Sequence, residues 1–455
     1  MESRKTLKTF QCSALRQAME WLCDDRMFAD CTRHGNTSWS LRALACMALF
    51  WAWGAEATLE RRFASGLDIL ARLFPRREWG RTYQGFIKIL NRWTPTLRSA
   101  LVNGLRDRMR QLDQQYATLD GWTVMAVDGT RIEAPRTTAN LAWFSRVPPK
   151  RTRRRTSKRR SKSQRVAAQQ PAAPQVWLTV IWHVGLGLLW DWRQGPTGSS
   201  ERVDLKEMLP ALPTGSLIVA DAGFQGYEYW AAALNAGHSF LIRAAGNVRL
   251  LRDLGCVRRR RNIVYLWPDQ VRRRQQPPIV LRLFELHDGH RHIFLVTNVT
   301  DPKQLSKSTA SRLYRRRWSV EVFFRGFKQT FGRGKLRSRA PQNVELELDW
   351  SLLGLWCVEL LAVRELIDRG LSPADLSTAG ALRAMQQTLM CAVVGIDFTL
   401  SPRLAAIRHD GYQRRQKAIR IWPRKKREPP SQPPQITSAS VSTTKPSHAF
   451  QTTNS

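Results

Sequence analysis

Negative charge is what this 455-residue chain has least of: 36 Asp and Glu stand against 73 Lys and Arg, a formal charge of +37. A surplus of that size draws polyanions, nucleic acid first and anionic membrane surfaces second. The chain also lacks an apolar run of the roughly 18 residues that a spanning helix needs. Its longest candidate, residues 43–53, is short and reads as a core helix. The amino terminus, MESRKTLKTF, has no apolar signal region, which argues against secretion. Seven cysteines are scattered with no CxxC pair. That pattern argues against a disulfide scaffold and a zinc site, and fits reduced thiols in a cytosol. The eight histidines show no metal-ligand spacing. His287, His290 and His292 cluster only because they flank Asp288-Gly289, the polar tip of a hairpin expected between strands 279–286 and 292–299.

What is present begins at YRRRWSVEVFFRGFK, residues 314–328. Tyr314, Arg317, Glu321 and Lys328 follow one another at steps of three, four and seven, which return to one face of a predicted helix. A lone carboxylate among cations suits phosphodiester cleavage: the acid holds a divalent metal and the cations hold phosphates. Taken alone, the same stripe is more commonly a solvated basic helix with one salt bridge. Two upstream segments shift that balance. Residues 122–130 read as a buried strand ending in Asp128, Gly129 and Thr130, and residues 216–224 repeat the grammar with Asp221, Ala222 and Gly223 ahead of a helix over 227–236. Open α/β sheets put their chemistry at the carboxyl ends of strands. Either Asp alone would be a turn or cap residue, but two of them followed by a helical Glu form a set.

With these residues the chain resembles the bacterial DDE transposases of the insertion-sequence-four type, whose signature is the Tyr-Arg-Glu-Lys spacing. The match is close around 314–328, including Phe324, Arg325 and Gln329, good at 127–130, 220–224 and 240–243, and loose over 115–370. The second motif departs from the pattern, with Ala222 where many relatives carry Arg. The resemblance implies an α/β fold with a ribonuclease-H-like core and a β-rich insertion, after an α-helical amino-terminal domain. It implies Asp128, Asp221 and Glu321 as catalytic metal ligands. Three carboxylates without His or Cys suit Mg²⁺, two ions with Mn²⁺ able to substitute. Asp128 would bridge them, and the unliganded acids would repel one another and shift upward in pKa. Arg317 and Lys328 would grip DNA phosphates and Tyr314 would donate to one. Arg325 and the Gly129-Thr130 pair also come within reach of DNA. Trp318 reads first as packing under the helix and second as a stacking platform for a base. Glu133, Asp191, Glu201, Asp204, Glu207 and Glu228 read as structural or solvent-facing.

The expected activity is cleavage at insertion-sequence ends followed by strand transfer, with a plain nuclease and a catalytically silent DNA-binding protein as alternatives. The expected partners are the element's terminal inverted repeats and target DNA, with no membrane and a homodimer on the ends. The expected place is the cytoplasm, with the nucleoid.

Residues 1–115 read as helical, with Pro95 near the first turn of a helix carrying Leu97, Leu101, Leu105 and Met109. They form either a packing bundle or, the favoured reading, a domain that binds element ends. Residues 116–370 hold the catalytic domain. Its insert, 146–175, contains KRTRRRTSKRRSKSQR, ten cations with no acid, favoured as a DNA arm over a solvated loop. Strands at 176–183 and 187–192 would join the Asp128 strand antiparallel, and the Asp221 strand would add in parallel. The β-rich insertion covers 238–300, with arginines at 258–261 and 272–274 as turns or phosphate contacts. A long amphipathic helix over 343–369 closes the core. Residues 371–422 complete a helical region, and 423–455 read as a disordered tail.

Overall fold

The computed structural model describes residues 13–31, 39–75, 79–145, 173–252, 262–266, 277–287, 292–396, 398–406 and 432–438. Most of the basic insert (146–172), the 288–291 hairpin tip, both arginine-rich loops and most of the tail lie outside them.

Helices α1 (Ser13–Leu22), α2 (Leu41–Trp53), α3 (Leu59–Leu73), α4 (Tyr83–Arg110) and the short α5 (Gln114–Ala117) come first. Three of them start on hydroxyl caps: Ser40, Thr58 and Thr82 each accept from an amide of the first turn. Almost every α2 side chain is buried. Trp53 donates through Nε1 to the Gly354 carbonyl at 2.7 Å, where a side chain on Gly354 would crowd Ala52 and Trp53. Pro95 lies inside α4 and does not open it. The helix runs through because the ring removes only one amide donor and the neighbouring turn is tied down: Thr94 Oγ1 donates to Leu90 and accepts from Trp350 Nε1.

One ten-stranded sheet follows, in the order β10-β6-β7-β8-β9-β5-β4-β1-β2-β3. β1 (Val124–Glu133), β2 (Gln175–His183) and β3 (Leu188–Gly195) are antiparallel, with α6 (Thr138–Phe144) between β1 and β2. Then come α7 (Glu201–Met208), β4 (Leu217–Ala220), α8 (Tyr227–Asn235) and β5 (Ser239–Ala244). β4 joins β1 in parallel, and β5 joins β4 in parallel. The β-rich stretch, β6 (Arg249–Arg252), β7 (Ile263–Leu266), β8 (Ile279–His287) and β9 (His292–Thr297), extends this same sheet, because β9 pairs antiparallel with β5. β10 (Gln435–Ser438) adds in parallel to β6. The expected tail is therefore not all disordered: the edge of β6 offers unpaired backbone groups, and Ile436 packs on the core.

Helices α9 (Lys307–Arg316), α10 (Ser319–Arg325), α11 (Pro341–Ile367), α12 (Thr378–Val394) and α13 (Leu400–Ala406) lie between β9 and β10. Alternation along β2 sets the layers. Thr179 donates to Asp204 of α7, while Trp182 packs against Phe323 of α10 with ring centroids 4.7 Å apart, so α7 and α10 cover opposite faces. Buried polar links bind helices to β3. Asp191 pairs with Arg106 of α4 at 2.8 Å, and Trp192 donates to the buried Asp349 of α11 at 2.7 Å. One buried cluster runs from Leu15 through the sheet to Leu404.

Candidate active site

The last parallel pair between β1 and β4 is Val127 with Ala220. Asp128 and Asp221 are the next residue of each chain, so register alone sets them side by side. β4 ends there, but β1 continues as an antiparallel partner of β2 to Glu133. Asp128 thus sits within a strand, not at its carboxyl end, at the point where its parallel neighbour stops. Its Oδ1 accepts from the Gly129 amide at 2.8 Å. Asp221 caps the turn that follows β4 and accepts from the Gly223 amide at 2.7 Å.

Tyr314, Arg317, Glu321 and Lys328 do not share one regular helix. α9 ends at Arg316, and the amides of Arg317, Trp318 and Val320 make tight i to i−3 bonds before and into α10. After Arg325 the chain widens into a π-helical turn, Gly326–Thr330. Arg317 donates to Glu321 at 2.9 Å and lies over the Tyr314 ring at 5.6 Å. The π turn carries Lys328 to β1, where its ammonium donates to Thr130 Oγ1. The loop beyond is stitched to the end of β1: Glu133 donates to Gly334 and accepts from Leu336. That loop is also held by Glu347 of α11, whose carboxylate accepts from the amides of Arg337 and Ser338.

The electrostatics mark Asp128 as the centre. Burial, joined by the Glu321 and Asp221 carboxylates, pushes Asp128 up to about 6, against the Gly129 amide and Arg317. Burial opposes the Arg317 charge, but Tyr314, Glu321 and Asp128 restore it above its ordinary value. Burial lowers Lys328, with Asp128 opposing, and raises the Tyr314 phenol. Arg325 is exposed. Trp318 is 62 % exposed, so it does not pack under the helix.

Sequence reading missed one acid. Glu201 opens α7, and burial together with Asp128 and Asp221 pushes it up to about 7. The signal available was Gly129, because a glycine inside a strand marks a close approach. The other acids set aside have structural partners: Asp204 accepts from Thr179, Glu207 pairs with Arg193 at 3.5 Å, and Glu133 pairs with Lys335 at 3.2 Å.

Among the described residues no three His, Cys, Asp or Glu side chains come close enough to hold a metal ion together. The donor set nonetheless suits a hard cation. It is all oxygen, and Glu321 Oε2 is buried with no hydrogen-bond partner.

Residues 194–357 match the family model described as Transposase DDE domain, a span that holds Asp221 and Glu321 and begins after Asp128. The chain is 25 % identical over 291 residues, 60 % of its length, to the transposase InsG for insertion sequence element IS4 of Escherichia coli (strain K12). It spans 61 % of that relative's length. A solved piggyBac transposase synaptic complex with hairpin DNA is similar at a TM-score of 0.41 and 8 % identity, over 89 % of this chain and 85 % of that one. At that level the structural likeness carries no argument about the fold. Residues 194–357 thus match a transposase DDE domain, in a chain similar to the transposase of insertion sequence element IS4.

Proposed function

We propose that this protein is a DNA transposase which cleaves the ends of an insertion sequence and joins them to target DNA. The observation that carries this is the register of β1 and β4, which sets Asp128 beside Asp221, with Glu321 close enough to raise Asp128. Sheet order β5-β4-β1-β2-β3, with two parallel and two antiparallel neighbours, supports reading this part as a ribonuclease-H-like core.

Asp128, Asp221 and Glu321 would hold divalent cations, two Mg²⁺ by the chemistry of their oxygens. Bound there, such ions supply an activated water or hydroxyl and relieve charge on the leaving oxygen. Arg317 orients Glu321 through their ion pair, and on binding DNA it exchanges that partner for a phosphate. Lys328, held over β1 by Thr130, meets a second phosphate as a point charge. Tyr314 stays protonated and donates a hydrogen bond to DNA. Trp318 and Arg325 present a ring and a guanidinium on the exposed side of α10. The DNA partners are the terminal repeats and the target, and two copies acting together, one on each end, fit a reaction at paired ends. No described helix is long and apolar enough to cross a membrane, and the nucleoid is where such a protein would work.

The test uses purified protein, Mg²⁺ and DNA bearing the element's ends. Wild type should release the ends and then join them to a target duplex. Cleaved ends without joined product would make the protein a nuclease. No cleavage, with unchanged binding, would make it a DNA-binding protein only.

A further inference from the structure

Glu201 is a carboxylate that the three-acid reading leaves over. It sits in the first turn of α7, on the face of the sheet that Thr179 and Asp204 share. Gly129 makes room for it, and Gly223 lies beside it. A Cβ built on Gly129 would overlap the Glu201 carboxyl group, and one on Gly223 would stand 3.5 Å from its Oε2. The space beside the residue after Asp128, and that two residues after Asp221, is thus filled by one acid from a third element. Among the described residues no hydrogen bond or ion pair neutralises that acid, although its neighbours Asp204 and Glu207 both have partners. Arg202, the adjacent cation, donates to the Gly223 carbonyl at 2.6 Å. A half-buried carboxylate that feels two others and has no partner of its own is a poor way to fix a helix end. It is a sound way to complete an oxygen cage around a cation.

We propose that Glu201 is a fourth acid of this site, delivered by α7 through the gap at Gly129 and directed at the divalent cation that Asp128 and Asp221 hold. The inference rests on the reading of those two aspartates as cation ligands. It also gives Gly129 a reason: any side chain there would expel Glu201. The role is distinct from that of Glu321, because Glu201 comes from the opposite face of the sheet and has no ion pair like the one Arg317 makes with Glu321.

The experiment reads cation binding without DNA and without turnover. Full-length protein is titrated with MnCl2 by calorimetry, as wild type, Asp128→Asn, Asp221→Asn, Glu201→Gln and, as a control on the same helix, Glu207→Gln. Glu201→Gln should weaken Mn²⁺ binding by about 10- to 100-fold, the two Asp variants by at least as much, and Glu207→Gln not at all. In chelator, Glu201→Gln should melt no lower than wild type, since it removes a like charge, and added Mn²⁺ should raise its melting temperature less. Should the Gln variant melt lower in chelator, Glu201→Asp keeps the charge and withdraws the carboxylate, and it should weaken Mn²⁺ as well. Wild-type affinity in both Glu201 variants, with weakened binding in the Asp variants, overturns the role of Glu201 alone. Wild-type affinity in the Asp variants overturns the metal reading of the site, and this inference with it.

Discussion

At Asp128 the surroundings disagree about charge. Burial and two carboxylates oppose ionisation, while an amide and a guanidinium favour it. Carboxylates that act on one another in this way repel, and a cation of the right size held between them would relieve that repulsion. Lys328 gives a residue-level test of the phosphate contacts. Lys328→Ala should reduce the slope of log K against log salt for end DNA by about one unit, with little change in melting temperature, since its Thr130 contact is half exposed. Arg317→Ala should differ, because it strips Glu321 of its ion pair: both the slope and the melting temperature should fall. A lowered melting temperature with an unchanged slope would leave Arg317 as a salt-bridge partner and nothing more. Asp128, Asp221 and Glu321 could be picked out as candidates from sequence because strand then Asp then Gly, and helical spacing, are local patterns. Glu201 could not, because an acid in a first helical turn looks like ordinary complementation of the helix dipole. Only the close approach of α7 to Gly129 shows what it faces.

At the scale of elements, regular periodicity was legible and departures from it were not. The long helix α11 appears at Pro341–Ile367, against an expected 343–369. The break at Arg317 and the π turn at Gly326 leave no mark in the spacing, since Tyr314, Arg317, Glu321 and Lys328 would share a face on an ideal helix too. Tertiary contacts decide it: Phe323 on Trp182, and Lys328 on Thr130. The junction of α11 with α12 yields a pH test. Glu359 is buried, accepts from Thr378 at 2.7 Å and has no partner at Oε2; burial pushes it up to about 8. Below about 4.5 it is protonated in folded and unfolded chains alike. As pH rises from there to about 8, the unfolded chain releases the proton and the folded one keeps it, so stability falls across that window. Glu359→Gln should therefore match wild type near pH 4.5 and exceed it near pH 8.5, by on the order of a few kcal/mol. Denaturant midpoints at the two pH values check this, and parallel curves would refute it. Trp192→Phe should cost about 1–3 kcal/mol at any pH, because it removes the donor to buried Asp349 and so loosens β3 from α11; an unchanged melting temperature would show that Arg98, 3.7 Å away, suffices.

For the whole molecule, the charge of +37 and the match of residues 194–357 to the Transposase DDE domain model both fit the proposed DNA partner. The antiparallel β1-β2-β3 arrangement with parallel β4 followed from strand patterns, whereas the merging of the β-rich stretch into one ten-stranded sheet did not, because strand periodicity names faces and not neighbours. Residues 150–165 supply ten of the cations and no acid. Deleting them should weaken binding to end and random DNA alike, most at low salt, with the preference for ends kept. Lost preference with intact random-DNA affinity would show that this segment reads sequence. The central claim, that Asp128, Asp221 and Glu321 act through direct contact with a cation, is tested most directly by replacing each singly with Cys and measuring end cleavage in Mg²⁺ and in Mn²⁺. In Mg²⁺ each variant should be slower by about a thousandfold or more, with DNA binding retained. In Mn²⁺, which accepts sulfur better, cleavage should recover by at least tenfold relative to wild type in the same ion. A Cys variant that cleaves normally in Mg²⁺, or three variants that Mn²⁺ does not help, would contradict it.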